Sequence, residues 1–133
     1  MTSKVKYLGD LRTESEHLQS GSKMITDAPL DNHGKGEAFS PTDTVANALA
    51  TCILTVMGIK AETLGINMGG TSAEVTKTMA SDPRRISKIE VKINFPEAYG
   101  DKETKILENT GRTCPVLQSL HPDIEKDITF SYS

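Results

Sequence analysis

Two cysteines, Cys52 and Cys114, are the residues of this chain most suited to covalent chemistry. Cys52 lies inside the apolar run VANALATCILTVM at residues 45–57. A thiolate is a nucleophile that can attack an oxidant, whereas a buried free cysteine also serves as a small hydrophobe. Two interpretations of Cys52 therefore stay open: a residue that fills space, or a reactive thiol in an apolar pocket that meets an apolar oxidant.

Cys114 lies in GRTCPVLQSLHP, at a predicted helix start. Thr113 is a suitable N-cap, and Pro115 belongs in the first helical turn. Unpaired N–H groups at a helix N-terminus favour a thiolate, so Cys114 is predicted to be reactive. The alternative is a small residue tolerated at a tight turn. Apolar surroundings disfavour the Cys52 thiolate, which therefore needs an arginine or lysine from another segment.

Length and charge exclude several classes of protein. The chain has 133 residues, which predicts a single domain over residues 1–133. Its 15 Lys and Arg stand against 18 Asp and Glu without a basic block, so no nucleic-acid partner is expected. The longest apolar stretch ends at Lys60 and Glu62 and is expected to be too short for a bilayer, and no signal sequence is indicated. We expect a soluble, cytoplasmic protein without a membrane partner, in which paired thiols are more often catalytic or metal-binding than structural.

The pattern of elements predicts an α+β fold. Strand-like pieces precede a polar, glycine-rich loop at 31–40, and a long helix then starts at Pro41 and ends before Gly65. Two strands with alternating apolar residues follow as an antiparallel hairpin, then two short helices and a closing strand. The predicted strands are KVKYL, RTESEHL, KMITDA, SAEVTKTM, KIEVKINF and DITFSYS, and the short helices are DKETKILENTG and CPVLQSL.

The helix over residues 41–64 is apolar almost all round, with only a narrow polar seam. Such a helix must be covered on nearly every side. One small sheet covers one side, so the pattern predicts an obligate homodimer in which a second copy covers the other.

Two segments, FSPTDTVANALATCILTVM and TCPVLQSLHP, together resemble the OsmC/Ohr family of thiol-dependent hydroperoxide reductases. The resemblance covers nearly the whole chain in element order. It implies an OsmC-like fold with antiparallel sheets around a long central helix, in an intertwined homodimer with active sites at the subunit interface. The matching features are Ser40-Pro41 at the helix start, Ala46 through Thr51 before Cys52, and Cys114-Pro115 at the start of a late helix.

Carried onto this chain, the resemblance makes Cys52 the peroxidatic cysteine and Cys114 the resolving one. Organic hydroperoxides or hydrogen peroxide are then the substrates, and an external dithiol is the reductant. No cofactor is implied. No metal is predicted either, because His121, His17 and His33 do not match any zinc-ligand spacing with the cysteines.

The family also places an arginine beside the first cysteine, and Arg12 is the candidate because it is the only arginine before residue 84. An exposed strand cation is an equally good interpretation of Arg12. Peroxidase members carry a glutamate that pairs with this arginine, at a position occupied here by Thr42. The nearest carboxylate is Asp43, which other branches of the family share, so Asp43 is the predicted acidic partner.

Two functions therefore stay open. The first is a two-cysteine peroxidase for organic hydroperoxides or hydrogen peroxide. The second is a non-catalytic dimer that binds an apolar small molecule or a partner in the same interface pocket, with inert cysteines.

Overall fold

A computed structural model describes residues 1–133 and shows an α+β chain with two three-stranded sheets. The chain divides into two compact units, residues 1–45 and 46–133. The single domain over 1–133 stays a prediction, and each unit is described by itself. The elements are β1 (Ser3–Gly9), β2 (Arg12–His17), β3 (Lys23–Asp27), α1 (Pro41–Leu64), β4 (Ser72–Ala80), β5 (Arg85–Phe95), α2 (Asp101–Gly111), α3 (Pro115–Ser119) and β6 (Glu125–Tyr132).

The first unit contains the antiparallel sheet β1-β2-β3. A tight turn with positive φ at Gly9, Asp10 and Leu11 joins β1 to β2. The register places Arg12, the first residue of β2, opposite Asp27, the last residue of β3. Residues 28–40 then form a loop with a 3₁₀ turn at Leu30–Asn32.

Helix α1 has the bounds that the residues at its two ends predict. Ser40 and Asp43 form a capping box at its start: the Asp43 N–H donates to Ser40 Oγ at 3.1 Å, and the Ser40 N–H donates to Asp43 Oδ2 at 3.0 Å. Gly65, with φ of +70°, ends the helix in a Schellman motif, in which the Ile66 N–H donates to the Ala61 carbonyl at 2.9 Å. Both ends are fixed by local chemistry.

One face of α1 is buried and another is open in the single chain. The buried residues recur at helical spacing, whereas Val45 and Ile59 are 39% and 64% exposed. The predicted apolar helix is therefore present, and a single chain covers only part of it. The buried residues are Ala46, Leu49, Ala50, Ile53, Met57 and Ala61.

The expectation that the apolar run is too short to cross a bilayer was wrong. Helix α1 has 24 residues, and its apolar 18-residue stretch reaches a mean hydropathy of 1.5, so length and composition alone would allow it to span a membrane. The reason is that Lys60 and Glu62 lie inside the helix rather than beyond its end. The core helix of a soluble protein meets the same criteria, and α1 has six residues in the core.

The second unit contains the sheet β4-β5-β6. Strands β4 and β5 form the predicted antiparallel hairpin, and the apolar side of β5 is buried. β6, however, pairs with β5 in parallel, so this sheet is mixed and the prediction of antiparallel sheets was wrong for this pair of strands. The connection through α2 and α3 returns the chain to the same end of the sheet, as a parallel pair requires. The buried residues of β5 are Ile86, Ile89, Val91, Ile93 and Phe95.

Candidate active site

The two thiols meet inside the second unit. Cys52 is half-buried on α1, and Cys114, which directly precedes α3, has no exposed surface. The Cys52 side chain lies close enough to Cys114 to raise the pKa of its thiol, and both cysteines are free. A cysteine from the middle of a long helix and one from a late turn are thus held in contact, a placement that suits disulfide formation.

Cys114 is itself the N-cap of α3, a role that the sequence assigned to Thr113. Its Sγ accepts a hydrogen bond from the Leu117 N–H at 3.4 Å. Thr113 instead closes the preceding turn, because its Oγ1 donates to the Thr110 carbonyl at 2.8 Å. The thiol, not the hydroxyl, therefore satisfies an unpaired donor of the helix start.

The electrostatic prediction for Cys114 was also wrong in direction. Burial raises the pKa of the Cys114 thiol, and contact with Cys52 raises this pKa further. Hydrogen bonds from the Leu117 and Val116 backbone act in the opposite sense without reversing the shift. Desolvation of a sulfur that has no exposed surface outweighs the helix N-terminus, so Cys114 is a thiol at rest.

Gly111, at the end of α2, lets this helix approach α1 beside the thiols. A Cβ atom at residue 111 would lie 2.8 Å from Met57 Sδ and 3.2 Å from Ile53 Cγ2. Ile53 follows Cys52, and Gly111 lies three residues before Cys114. The missing side chain of Gly111 therefore lets the end of α2 pack closely against the helix that carries Cys52.

We expect Gly111→Ala to destabilise the protein by about 1–3 kcal/mol, since extra volume in a packed core forces side chains off their rotamers. Urea denaturation measures this loss. Gly58→Ala is the matched control, because a Cβ at Gly58 meets nothing within 4 Å. The higher helix propensity of alanine should stabilise this variant by up to about 1 kcal/mol. Equal effects of the two substitutions would contradict the proposed close approach.

Arg12 is held by two carboxylates within the first unit. Its Nε and Nη2 atoms donate to Oδ1 and Oδ2 of Asp27 at 2.7 and 2.8 Å, and Nη2 also donates to Glu37 Oε2 at 3.0 Å. Asp27 is 1% exposed and Glu37 is 65% exposed. The hydrogen bonds from Arg12 hold the pKa of the Asp27 carboxyl below its usual range, and those to Asp27 raise the pKa of Arg12. Asp27 thus fixes one edge of the guanidinium, and Glu37 binds it at the surface.

The loop at residues 28–40 brings Glu37 to Arg12. A Cβ at Gly34 would lie 1.7 Å from the Ala28 carbonyl oxygen, so only glycine fits this fold of the backbone. The Gly36 N–H donates to the same carbonyl at 3.2 Å. Sequence reasoning missed both Asp27 and Glu37, although an acidic residue at the end of a strand opposite Arg12 was the available signal for Asp27.

We expect Asp27→Asn to lower the free energy of unfolding at neutral pH, because Arg12 loses its ionised partner. The folded pKa of Asp27 lies below its unfolded value of 3.8, so this stabilisation is present above that value and is lost as the pH falls through the folded pKa. The urea midpoints of the wild type and of Asp27→Asn, measured from pH 7 downward, should therefore differ at neutral pH and converge as the pH falls below about 4. Glu37→Gln, at an exposed position, should show a smaller difference, and a pH-independent Asp27→Asn effect would contradict the assignment.

Asp43, the predicted acidic partner of Arg12, lies in the capping box of α1, where it accepts from the Ser40 N–H. The carboxylates bonded to Arg12 are Asp27 and Glu37. His121, set aside as a zinc ligand, accepts a hydrogen bond at Nδ1 from the Asp123 N–H at 3.0 Å. No group of three or more His, Cys, Asp or Glu side chains is placed to hold a metal ion.

Comparisons with known proteins identify relatives of this chain. A family model described as OsmC-like protein matches residues 34–129. A crystal structure from Psychrobacter arcticus 273-4, described provisionally as an osmotic-stress-induced and detoxification response protein, is 56% identical with a TM-score of 0.95. That match covers 98% of this chain and 96% of the other. A comparison with curated proteins finds no match.

More distant solved structures share the fold. An organic hydroperoxide resistance protein OsmC from Legionella pneumophila is 17% identical, with a TM-score of 0.73 and coverage of 98% and 97% of the two chains. An organic hydroperoxide resistance protein from Elizabethkingia anophelis is also 17% identical, with a TM-score of 0.74 and coverage of 100% and 97%. At such identity these likenesses establish the fold alone.

Proposed function

Because this chain belongs to the OsmC-like protein family and holds two free thiols in contact, we propose that it is a thiol-dependent peroxidase. Its substrates are organic hydroperoxides or hydrogen peroxide. The observation that carries the proposal is the proximity of the free thiols of Cys52 and Cys114 in the same buried cluster. Fold relatives named for organic hydroperoxide resistance support the substrate class.

The proposed reaction starts at Cys52, because Cys52 is half-buried whereas Cys114 has no exposed surface. The Cys52 thiolate attacks the O–O bond of the hydroperoxide, and the distal fragment leaves as an alcohol, or as water, after it takes a proton. Cys52 is then a sulfenic acid. Cys114 condenses with it, a disulfide forms and water leaves. An external dithiol reduces this disulfide by exchange and restores both thiols. No bound cofactor or metal takes part in this cycle.

We propose that Arg12 supplies the cation that stabilises the Cys52 thiolate and the leaving oxygen. The support is its fixed orientation, since a bidentate bond to buried Asp27 holds one edge of the guanidinium. Asp43 acts as a positioning residue in this proposal, because it caps the helix that carries Cys52. In this proposal Asp27 and Glu37, which bind Arg12, orient its guanidinium, a role that the family resemblance implied for Asp43.

We propose that the protein works as a homodimer in the cytoplasm. The exposed apolar residues of α1, Val45 and Ile59, support a second copy on that face. A reducing compartment keeps resting thiols reduced, as the cycle requires. Sedimentation velocity tests the assembly: a dimer is expected at micromolar concentration, and a monomer would contradict it.

Free-thiol titration separates this peroxidase from a dimer that only binds apolar ligands. After one equivalent of cumene hydroperoxide, the peroxidase loses both thiols per chain, and a dithiol restores them. A binding protein with inert cysteines keeps both thiols under the same treatment. The exposed apolar side chains of α1 suit either function, so the thiol count is the decisive measurement.

A further inference from the structure

The oxidised thiol pair offers an incoming reductant two sulfurs, and the structure distinguishes them by access. Cys114 has no exposed surface, whereas Cys52 is half-buried on α1. Cys52 lies seven residues from both Val45 and Ile59, so the proposed second copy lies beside it, and the route to its sulfur is the one that the hydroperoxide takes in the proposed cycle. Exchange rates depend on which sulfur an attacking thiolate can reach.

We propose that the reductant enters at Cys52 and that Cys114 is the leaving sulfur, an inference that rests on the proposed peroxidase function. The same sulfur thus meets the oxidant and the reductant. Cys114 never forms a bond to an external molecule and exchanges only with Cys52.

The exchange balances in two steps. A thiolate of the dithiol attacks Cys52 Sγ and forms a mixed disulfide, while the Cys52–Cys114 bond breaks with its electron pair on Cys114 Sγ, which then takes a proton. The second thiol of the reductant, as a thiolate, attacks the reductant sulfur bound to Cys52. Cys52 leaves as a thiolate, and the reductant departs as a cyclic disulfide that has given up two electrons.

Two features of the fold have opposite effects on Cys114 as the leaving sulfur. Burial of Cys114 makes it a poorer leaving group, because a buried thiolate is disfavoured. The Leu117 N–H, 3.4 Å from Cys114 Sγ, partly compensates because it donates to the departing sulfur. Access decides the outcome, since attack at Cys114 would require a nucleophile to touch a sulfur that no solvent reaches.

Mapping of the mixed disulfide tests this inference. The full chain is oxidised with diamide, which yields the disulfide even if the protein does not reduce hydroperoxides. It is then exposed briefly to 2-mercaptoethanol, quenched in acid and digested with pepsin. Mass spectrometry of the peptides shows which cysteine carries the adduct.

We expect about a tenfold or larger excess of adduct on Cys52 over Cys114, because access controls the exchange. The same disulfide in concentrated urea is the control, and there the two adducts should approach equal amounts. A predominant adduct on Cys114 in the folded protein, or the same ratio with and without urea, would overturn the inference. Either result is independent of peroxidase activity, which the thiol titration measures separately.

Discussion

Cys52→Ser is expected to lower hydroperoxide reduction, measured with a dithiol as electron donor, by roughly 1,000-fold or more. A serine hydroxyl is not ionised at neutral pH and does not form the sulfenic acid on which the cycle depends. Cys52 is only half-buried, and serine is nearly the same size, so the fold should survive. Consumption of cumene hydroperoxide is the measurement.

Thr51→Ser is the matched control for this substitution, because Thr51 is the exposed neighbour of Cys52 on the same helix. It should retain wild-type turnover. If Cys52→Ser kept a substantial part of the activity while its thermal unfolding matched the wild type, Cys52 would not be the nucleophile.

Cys114→Ser is expected to separate oxidation from recovery. Cys52 can still form a sulfenic acid, but no second thiol is present to condense with it. Excess hydroperoxide then carries Cys52 on to sulfinic and sulfonic acids, which a dithiol does not reduce. After such treatment, we expect a dithiol to restore less than about a tenth of the initial activity, whereas the wild type recovers fully.

Intact-mass measurements distinguish the two proteins directly. The oxidised wild type should lose two hydrogens through the disulfide, and oxidised Cys114→Ser should instead gain two or three oxygens at Cys52. Full recovery of the Cys114→Ser variant by a dithiol would remove Cys114 from the resolving role.

Helix-capping residues and local sequence patterns were sufficient to predict much of the fold. Ser40-Pro41 and Gly65 gave the bounds of α1, because a capping box and a Schellman motif depend on neighbouring residues only. Strict alternation of polar and apolar residues from Lys88 to Phe95 predicted which face of β5 is buried, because this pattern also depends only on neighbouring residues. The motifs around Cys52 and Cys114 also identified the family, which the comparisons confirm.

The remaining features depend on residues distant in the chain. Alternation assigns a face to β6 but not a direction, so its parallel pairing with β5 was missed. The bonds of Arg12 to Asp27 and Glu37 depend on strand register and on the loop at Gly34, which no local pattern encodes. Cys114 took the capping role predicted for Thr113, whose hydroxyl instead donates to the Thr110 carbonyl at the end of α2.

Identification of the linked peptides after one equivalent of cumene hydroperoxide tests the central claim most directly. The account predicts that peptic peptides containing Cys52 and Cys114 are joined by a disulfide within one chain, and that a dithiol separates them. Recovery of the two peptides unlinked, with both thiols unmodified, would contradict the account.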